Sequence, residues 1–269
     1  GGGGGGGRGK RPPRKSKKER AAAKQKEIED EKTYDKLPPP DPSISGVSIN
    51  IRKGELVAIV GPVGSGKSTL LQGILGEVPL SSGTVARTGS IAYCAQQPWI
   101  MNCKLRENVT FDGSATADAA RYKEAIRVCA MESDIKQITG GNDAEIGERG
   151  INLSGGQKAR VSLARAIYSD RDVYLLDDPL SAVDTHVAEH IFDQCITGKL
   201  RGKTVVLVTH AVQFLPRCDK VIVLGGGDQA GTIVAQGTFK ELVARGVDLQ
   251  METSSLPAGE EGAAAGNGG

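Results

Sequence analysis

The sequence predicts an α/β fold built on a mainly parallel sheet with flanking helices, together with an antiparallel β part and a helical subdomain insert. Three observations carry this. Apolar runs rich in β-branched residues, Leu56 to Val60, Val173 to Leu176 and Thr204 to Val208, alternate with stretches of helical period. A glycine-rich segment joins the first of these runs directly to a helical one. Near the end, Val221-Ile222-Val223-Leu224 and Thr232-Ile233-Val234-Ala235 flank a glycine turn, the signal of a hairpin.

Leu56-Val57-Ala58-Ile59-Val60 is too continuously apolar for a surface strand and reads as a buried one. Behind it, Gly61-Pro62-Val63-Gly64-Ser65-Gly66-Lys67-Ser68-Thr69 satisfies the pattern G-x-x-x-x-G-K-[ST], and Thr69 to Leu75 begins a helix. Strand, glycine loop and helix N-terminus aim successive backbone N–H groups at one anion. Lys67 can reach the β and γ phosphates of a nucleotide, and the Ser68 hydroxyl can ligate Mg²⁺. The core is therefore expected to be that of a P-loop NTPase.

Ile91 to Cys94 reads as the next strand, followed by two amides, Gln96 and Gln97. From about Pro98 to Tyr168 the chain is mainly helical, with Arg121 to Cys129 and Asp134 to Ile138 as clear helical stretches. Leu153-Ser154-Gly155-Gly156-Gln157 precedes the helical period of Lys158 to Ile167 and reads as its cap, exposing N–H donors at a positive dipole end. One chain cannot fold both donor-rich loops around one nucleotide. Val173-Tyr174-Leu175-Leu176-Asp177 is a buried strand ending in a carboxylate, the place where a P-loop protein holds Mg²⁺ through water. After Asp178 and Pro179, Ser181-Ala182-Val183-Asp184 supplies two candidate N-caps, Ser181 and Asp184. His210 follows Thr204 to Thr209. His186 and His190 sit four apart on a helix, with no third metal ligand nearby in sequence, and are expected to be ordinary surface residues.

Gly61 to Thr69, Leu153 to Gln157 and Val173 to Asp178, in that order, resemble the nucleotide-binding domain of an ATP-binding cassette (ABC) protein over roughly residues 44 to 247. The resemblance implies that Leu153 to Gln157 is the family's signature, serving an ATP held by a second cassette, so that function requires a pair. It implies ATP and Mg²⁺ as cofactors, with Asp177, Ser68 and Gln96 at the metal. It places Asp178, Gln96 and His210 at the reacting γ-phosphate, Ser181 to Asp184 at the interface between cassettes, and the insert against a membrane domain. The family stacks adenine on an aromatic residue upstream of the P-loop, and Tyr34 is the only aromatic residue before Lys67. It is the candidate, against a plain linker tyrosine.

Gln96-Gln97-Pro98-Trp99-Ile100, Leu105-Arg106-Glu107-Asn108-Val109 and Asp177 to Asp184 resemble the first cassette of subfamily C, the multidrug-resistance-associated exporters. The implied cargo is an organic anion or conjugate, and the implied location is the cytoplasmic face of a membrane. Asp178 stands where the family's most active members carry Glu. A carboxylate retracted by about 1 Å is expected to keep nucleotide bound and to slow its hydrolysis.

The 269 residues carry a net charge of +2, enough for one α/β domain with tails. Five cysteines without a C-x-x-C pair read as reduced thiols of a cytosolic compartment. No apolar run reaches the ~18 residues of a membrane span. Residues 1–43 read as a disordered basic linker, 44–250 as the nucleotide-binding domain with its insert at about 98–168, and 251–269 as a flexible tail. Starting at Gly1, the chain is expected to be a piece of a longer polypeptide. Long coiled-coil arms between the two glycine motifs are absent, and the middle of the chain is not strongly basic, so nucleic acid is not an expected partner. A nucleotide-gated regulatory module of the same subfamily is the alternative to an exporter.

Overall fold

The computed structural model describes residues 44–111, 118–147 and 151–249. Its centre is a six-stranded sheet, built as follows. Strand β1 (Leu56–Val60) has all five residues buried. It lies between two parallel neighbours, β6 (Thr204–Val208) and β7 (Lys220–Leu224), pairing Ile59 with Val208 on one side and Ile222 on the other. Beyond β6 come β5 (Val173–Asp177) and β2 (Ile91–Cys94), both parallel. Beyond β7 lies β8 (Ile233–Gly237), the antiparallel edge formed by the expected hairpin. The spatial order is β2-β5-β6-β1-β7-β8.

Because side chains alternate across a strand, the apolar runs feed two separate cores. Val57, Ile59, Leu175, Val206, Val208, Ile222 and Leu224 pack on one face with Leu70 and Leu71 of helix α1 (Lys67–Leu75). Ala58, Val60, Leu176, Val205, Leu207, Val221 and Val223 join the larger core on the other. Ile59 is fully buried, so Ile59→Ala is expected to cost about 2–5 kcal/mol as a shift of the denaturant midpoint. Val63→Ala, at a side chain 75% exposed, should move stability by less than about 0.5 kcal/mol.

The insert holds helices α2 (Leu105–Thr110), α3 (Ala119–Val128) and α4 (Glu132–Gln137). It also holds a two-stranded antiparallel ribbon, β3 (Cys103–Lys104) with β4 (Glu145–Ile146), which the sequence pattern did not disclose. Strands two residues long are too short to show a period. The long helix α5 (Gly155–Tyr168) packs on α2, α3 and β2 and so carries the insert on the core. Its Arg165 donates to the Trp99 carbonyl (3.0 Å) and the Asn108 carbonyl (2.7 Å). The same guanidinium lies over the rings of Trp99 and Phe111, both exposed. Helix α6 (Thr185–His190) starts on Asp184, whose Oδ1 accepts from the Val187 N–H, and runs on as a π-helix, Ile191–Lys199. Asp184 rather than Ser181 is thus the cap. The last helix, α7, spans Phe239–Ala244.

All five cysteines are free thiols. Among the described residues no helix is long and apolar enough to cross a membrane, and no group of three or more His, Cys, Asp and Glu side chains could hold a metal. His190 Nε2 lies 3.0 Å from the Arg127 carbonyl, a structural contact.

Candidate functional site

The P-loop leaves β1 at Gly61, where φ is +153° and an added Cβ would meet the Leu224 carbonyl at 2.7 Å. Only glycine lets the loop turn so close to β7. The loop then closes on itself, with the Ser65 N–H donating to the Pro62 carbonyl (3.2 Å), and enters α1 through Gly66, its N-cap, at φ +93°. Val63 and Gly64 form the exposed crest. Lys67 is buried, and its Nζ donates to the carbonyls of Gly61 (2.8 Å) and Pro62 (2.7 Å). Burial pushes its pKa down, while Asp178 and Asp177 work against that shift. Thr69 follows Ser68 inside the first turn of α1.

Asp177 ends β5 and is buried. Burial raises the pKa of its carboxyl, while the Ser68 hydroxyl, Lys67 and the Tyr93 hydroxyl favour ionisation. Tyr93 is itself pushed up to about 12, by burial first and by the Asp177 charge second. Two buried oxygens in this small region lack any hydrogen-bond partner, Ser65 Oγ and Asp177 Oδ1. Buried polar atoms are seldom left unpaired, because each costs about 1–3 kcal/mol. Ser65 Oγ lies close to Gly61, on the side of the loop that faces Leu224, whereas the Asp177 carboxylate stands beside the Ser68 hydroxyl, where an orphaned oxygen fits a cation. The donor set there is a hydroxyl and a carboxylate, the hard oxygens that suit Mg²⁺, which completes its shell with water and phosphate oxygens. The residues present therefore fit Mg-nucleotide.

Asp178 follows with φ +49°, its N–H donating to the Val208 carbonyl (3.0 Å) and its carbonyl accepting from Ser181 Oγ (2.9 Å). Burial raises its pKa, opposed first by His210. The exposed His210 therefore acts on the same carboxylate from the end of β6. Gln96 is exposed in the bend after β2 and faces a cleft of about 340 Å³ lined also by Gln97, Pro98, Gly155, Lys158, Asp178 and Ala182. Both Gln96 and Gln97 reach this cleft.

Leu153 is buried and anchors the second loop. Ser154 caps α5 in a capping box: Ser154 Oγ accepts from the Gln157 N–H (3.2 Å), and Gln157 Oε1 accepts from the Ser154 N–H (2.9 Å). Gly155 has open space where a side chain would project, whereas a Cβ on Gly156 would stand 2.6 Å from the Ala182 carbonyl. That close approach, and the hydrogen bond from Gln157 to Asp134, were not foreseen from sequence, since each joins segments with no local signal of contact. Tyr34, and with it the two expected tails, lies outside the described residues.

Comparison with known proteins agrees with this geometry. A family model described as ABC transporter matches residues 44–181. ATP-binding cassette sub-family C member 3 of Rattus norvegicus is 53% identical over 204 residues, 75% of this chain and 13% of the relative. Sub-family C member 2 of Mus musculus is 50% identical over 203 residues, again 75% of this chain and 13% of the relative. A probable multidrug resistance-associated protein of Drosophila melanogaster, lethal(2)03659, is 46% identical over 208 residues, 77% of this chain and 15% of the relative. The chain thus spans about a seventh or less of the length of these relatives.

Proposed function

Since the chain belongs to the ABC transporter family and carries an ATPase domain of the subfamily C type, we propose that it binds Mg-ATP and pairs with a second cassette to drive export of an organic anion or conjugate across a membrane. The observation that carries this reading is the orphaned buried oxygen Asp177 Oδ1 beside the Ser68 hydroxyl, at the foot of a loop whose turn at Gly61 only glycine allows.

In this reading the backbone N–H groups from Gly64 to Thr69 and the Lys67 ammonium bind the phosphates. Ser68 and Asp177 hold Mg²⁺, Asp177 directly or through water, and Gln96 contributes to the same metal. Mg²⁺, when bound, neutralises charge on the β and γ phosphates. Asp178 orients and deprotonates the attacking water, and His210 donates to the γ-phosphate. Ser154, Gly155 and Gly156 present donors at the N-terminus of α5 to the nucleotide of the second cassette, with Leu153 and Gln157 holding that turn in place. The membrane domains lie against the insert on the cytoplasmic face. Two exposed aromatic side chains held by Arg165, Trp99 (63% exposed) and Phe111 (57%), support such a docked surface.

The buried, shortened carboxylate of Asp178 favours a second reading in which binding rather than turnover is the output, as in a nucleotide-gated regulator. Both readings share their first test. Lys67→Ala is expected to weaken ATP binding at least about tenfold, or ~1.4 kcal/mol, in a fluorescent-nucleotide titration. Asp177→Asn should bind ATP without responding to added Mg²⁺. Unchanged affinity in Lys67→Ala would sink the phosphate site. Wild-type turnover coupled to movement of an organic anion in vesicles separates exporter from regulator.

A further inference from the structure

Gln157 uses only one end of its amide in the capping box, and the other end leads to a residue outside every motif. Its Nε2 donates to Asp134 Oδ1 (2.9 Å), in the first turn of α4. Asp134 also takes Arg160 Nη1 on Oδ2 (2.7 Å) and Arg160 Nη2 on Oδ1 (3.3 Å), a forked ion pair whose side chains are only 15% and 11% exposed. Arg160 completes the group by donating to the Ala130 carbonyl (2.6 Å), where the chain turns at φ +54°, and from Nε to the Gly156 carbonyl (3.3 Å).

An amide can present either its oxygen or its nitrogen to a neighbour, and the neighbour decides. Asp134 only accepts and the Ser154 N–H only donates, so the two hold Gln157 from both ends, with Oε1 facing Ser154 and Nε2 facing the carboxylate. The box then runs in one sense. Ser154 Oγ is committed as an acceptor from the Gln157 N–H, which leaves its own hydroxyl proton free to point outward.

We propose that Asp134 is the positioning residue of the signature loop, holding in place the turn that presents the Ser154 hydroxyl to the second cassette's nucleotide. The inference rests on the pairing of cassettes proposed above. Without the carboxylate, Gln157 Nε2 and Arg160 lose their shared acceptor, the Gln157 side chain is held by the Ser154 N–H alone, and the turn that carries Ser154 loosens. A displacement on the order of 1 Å at a phosphate donor is enough to cost roughly 10²-fold.

The test uses the full-length protein, with ATP turnover and photoreactive-ATP labelling of this cassette measured on the same preparations. Asp134→Asn is expected to lower turnover roughly 10- to 100-fold while labelling at the Lys67 site stays within about twofold. Asp134→Glu, which keeps the carboxylate, should recover most of the loss. The exchange Asp134→Arg with Arg160→Asp restores opposite charges but sets a guanidinium against Gln157 Nε2, and it should not rescue. Rescue by that exchange, unaltered turnover in Asp134→Asn, or labelling lost together with turnover would each overturn the proposal, the last because Asp134 would then serve the fold alone. Ser154→Ala is the separate control: full turnover there overturns the pairing itself, whereas lost turnover in Ser154→Ala beside normal turnover in Asp134→Asn overturns only the role of Asp134.

Discussion

Gly156→Ala is expected to lower both stability and ATP turnover, whereas Gly155→Ala should lower turnover alone. The added methyl at 156 would sit 2.6 Å from a backbone oxygen, that of Ala182, which cannot swing aside as a flexible side chain would. Either the first turn of α5 or the segment Ser181 to Asp184 must move, at a cost of about 1–3 kcal/mol, read as a drop in melting temperature. Both segments line the cleft that holds Asp178, so the displacement reaches the reacting side of the domain. At Gly155 a methyl meets nothing within 4 Å among the described residues. Alanine also favours the helix there by up to about 1 kcal/mol, so the melting temperature should hold or rise. On the proposed pairing turnover should still fall, because the methyl would occupy space that the second cassette's phosphate needs. Equal melting temperatures for the two variants would contradict the Gly156 contact.

Asp178→Glu is expected to accelerate single-turnover hydrolysis by roughly 10- to 100-fold with little change in ATP affinity. The backbone of Asp178 is fixed at both ends, by the bond to Val208 and by Ser181 Oγ, so reach must come from the side chain. One more methylene carries the carboxylate about 1 Å further toward the cleft, where there is room for it. The left-handed backbone at φ +49° opposes the change, because Asp tolerates that conformation better than Glu. A small loss of stability should therefore accompany the gain in rate. Turnover identical to wild type would mean that Asp178 already reaches its water and that the site is not slow.

Much of this was legible in the sequence because it is local. The strand Leu56 to Val60, the glycine loop after it and the cap at Ser154 all declare themselves within ten residues, where pattern and bond partner coincide. Asp177 was legible for the same reason, as an acid closing an apolar strand. What stayed hidden depends on which segments the fold brings together. Nothing near Asp134 signals that it receives Gln157 and Arg160, and nothing near Ala182 signals a glycine against its carbonyl. Arg165 reads as one more charge on a helix until Trp99 and Phe111 are seen stacked around it. Lys67, expected to reach toward phosphate, rests on the carbonyls of its own loop.

The position of β1 in the sheet has a consequence for how the domain is made. It is the first strand of the sheet among the described residues, yet both of its neighbours, β6 and β7, lie near the other end of the described chain. Domains acquire such distant pairings late, and slowly, during synthesis. Residues 44–181 contain the glycine loop, the signature and both aspartates, but a chain halted there lacks β6 and β7, the two strands that flank Leu56–Val60 in the sheet. The glycine loop turns against the Leu224 carbonyl, so its native seat is complete only once β7 has been made, and ATP bound from then on would favour the finished chain over one still open to aggregation or proteolysis.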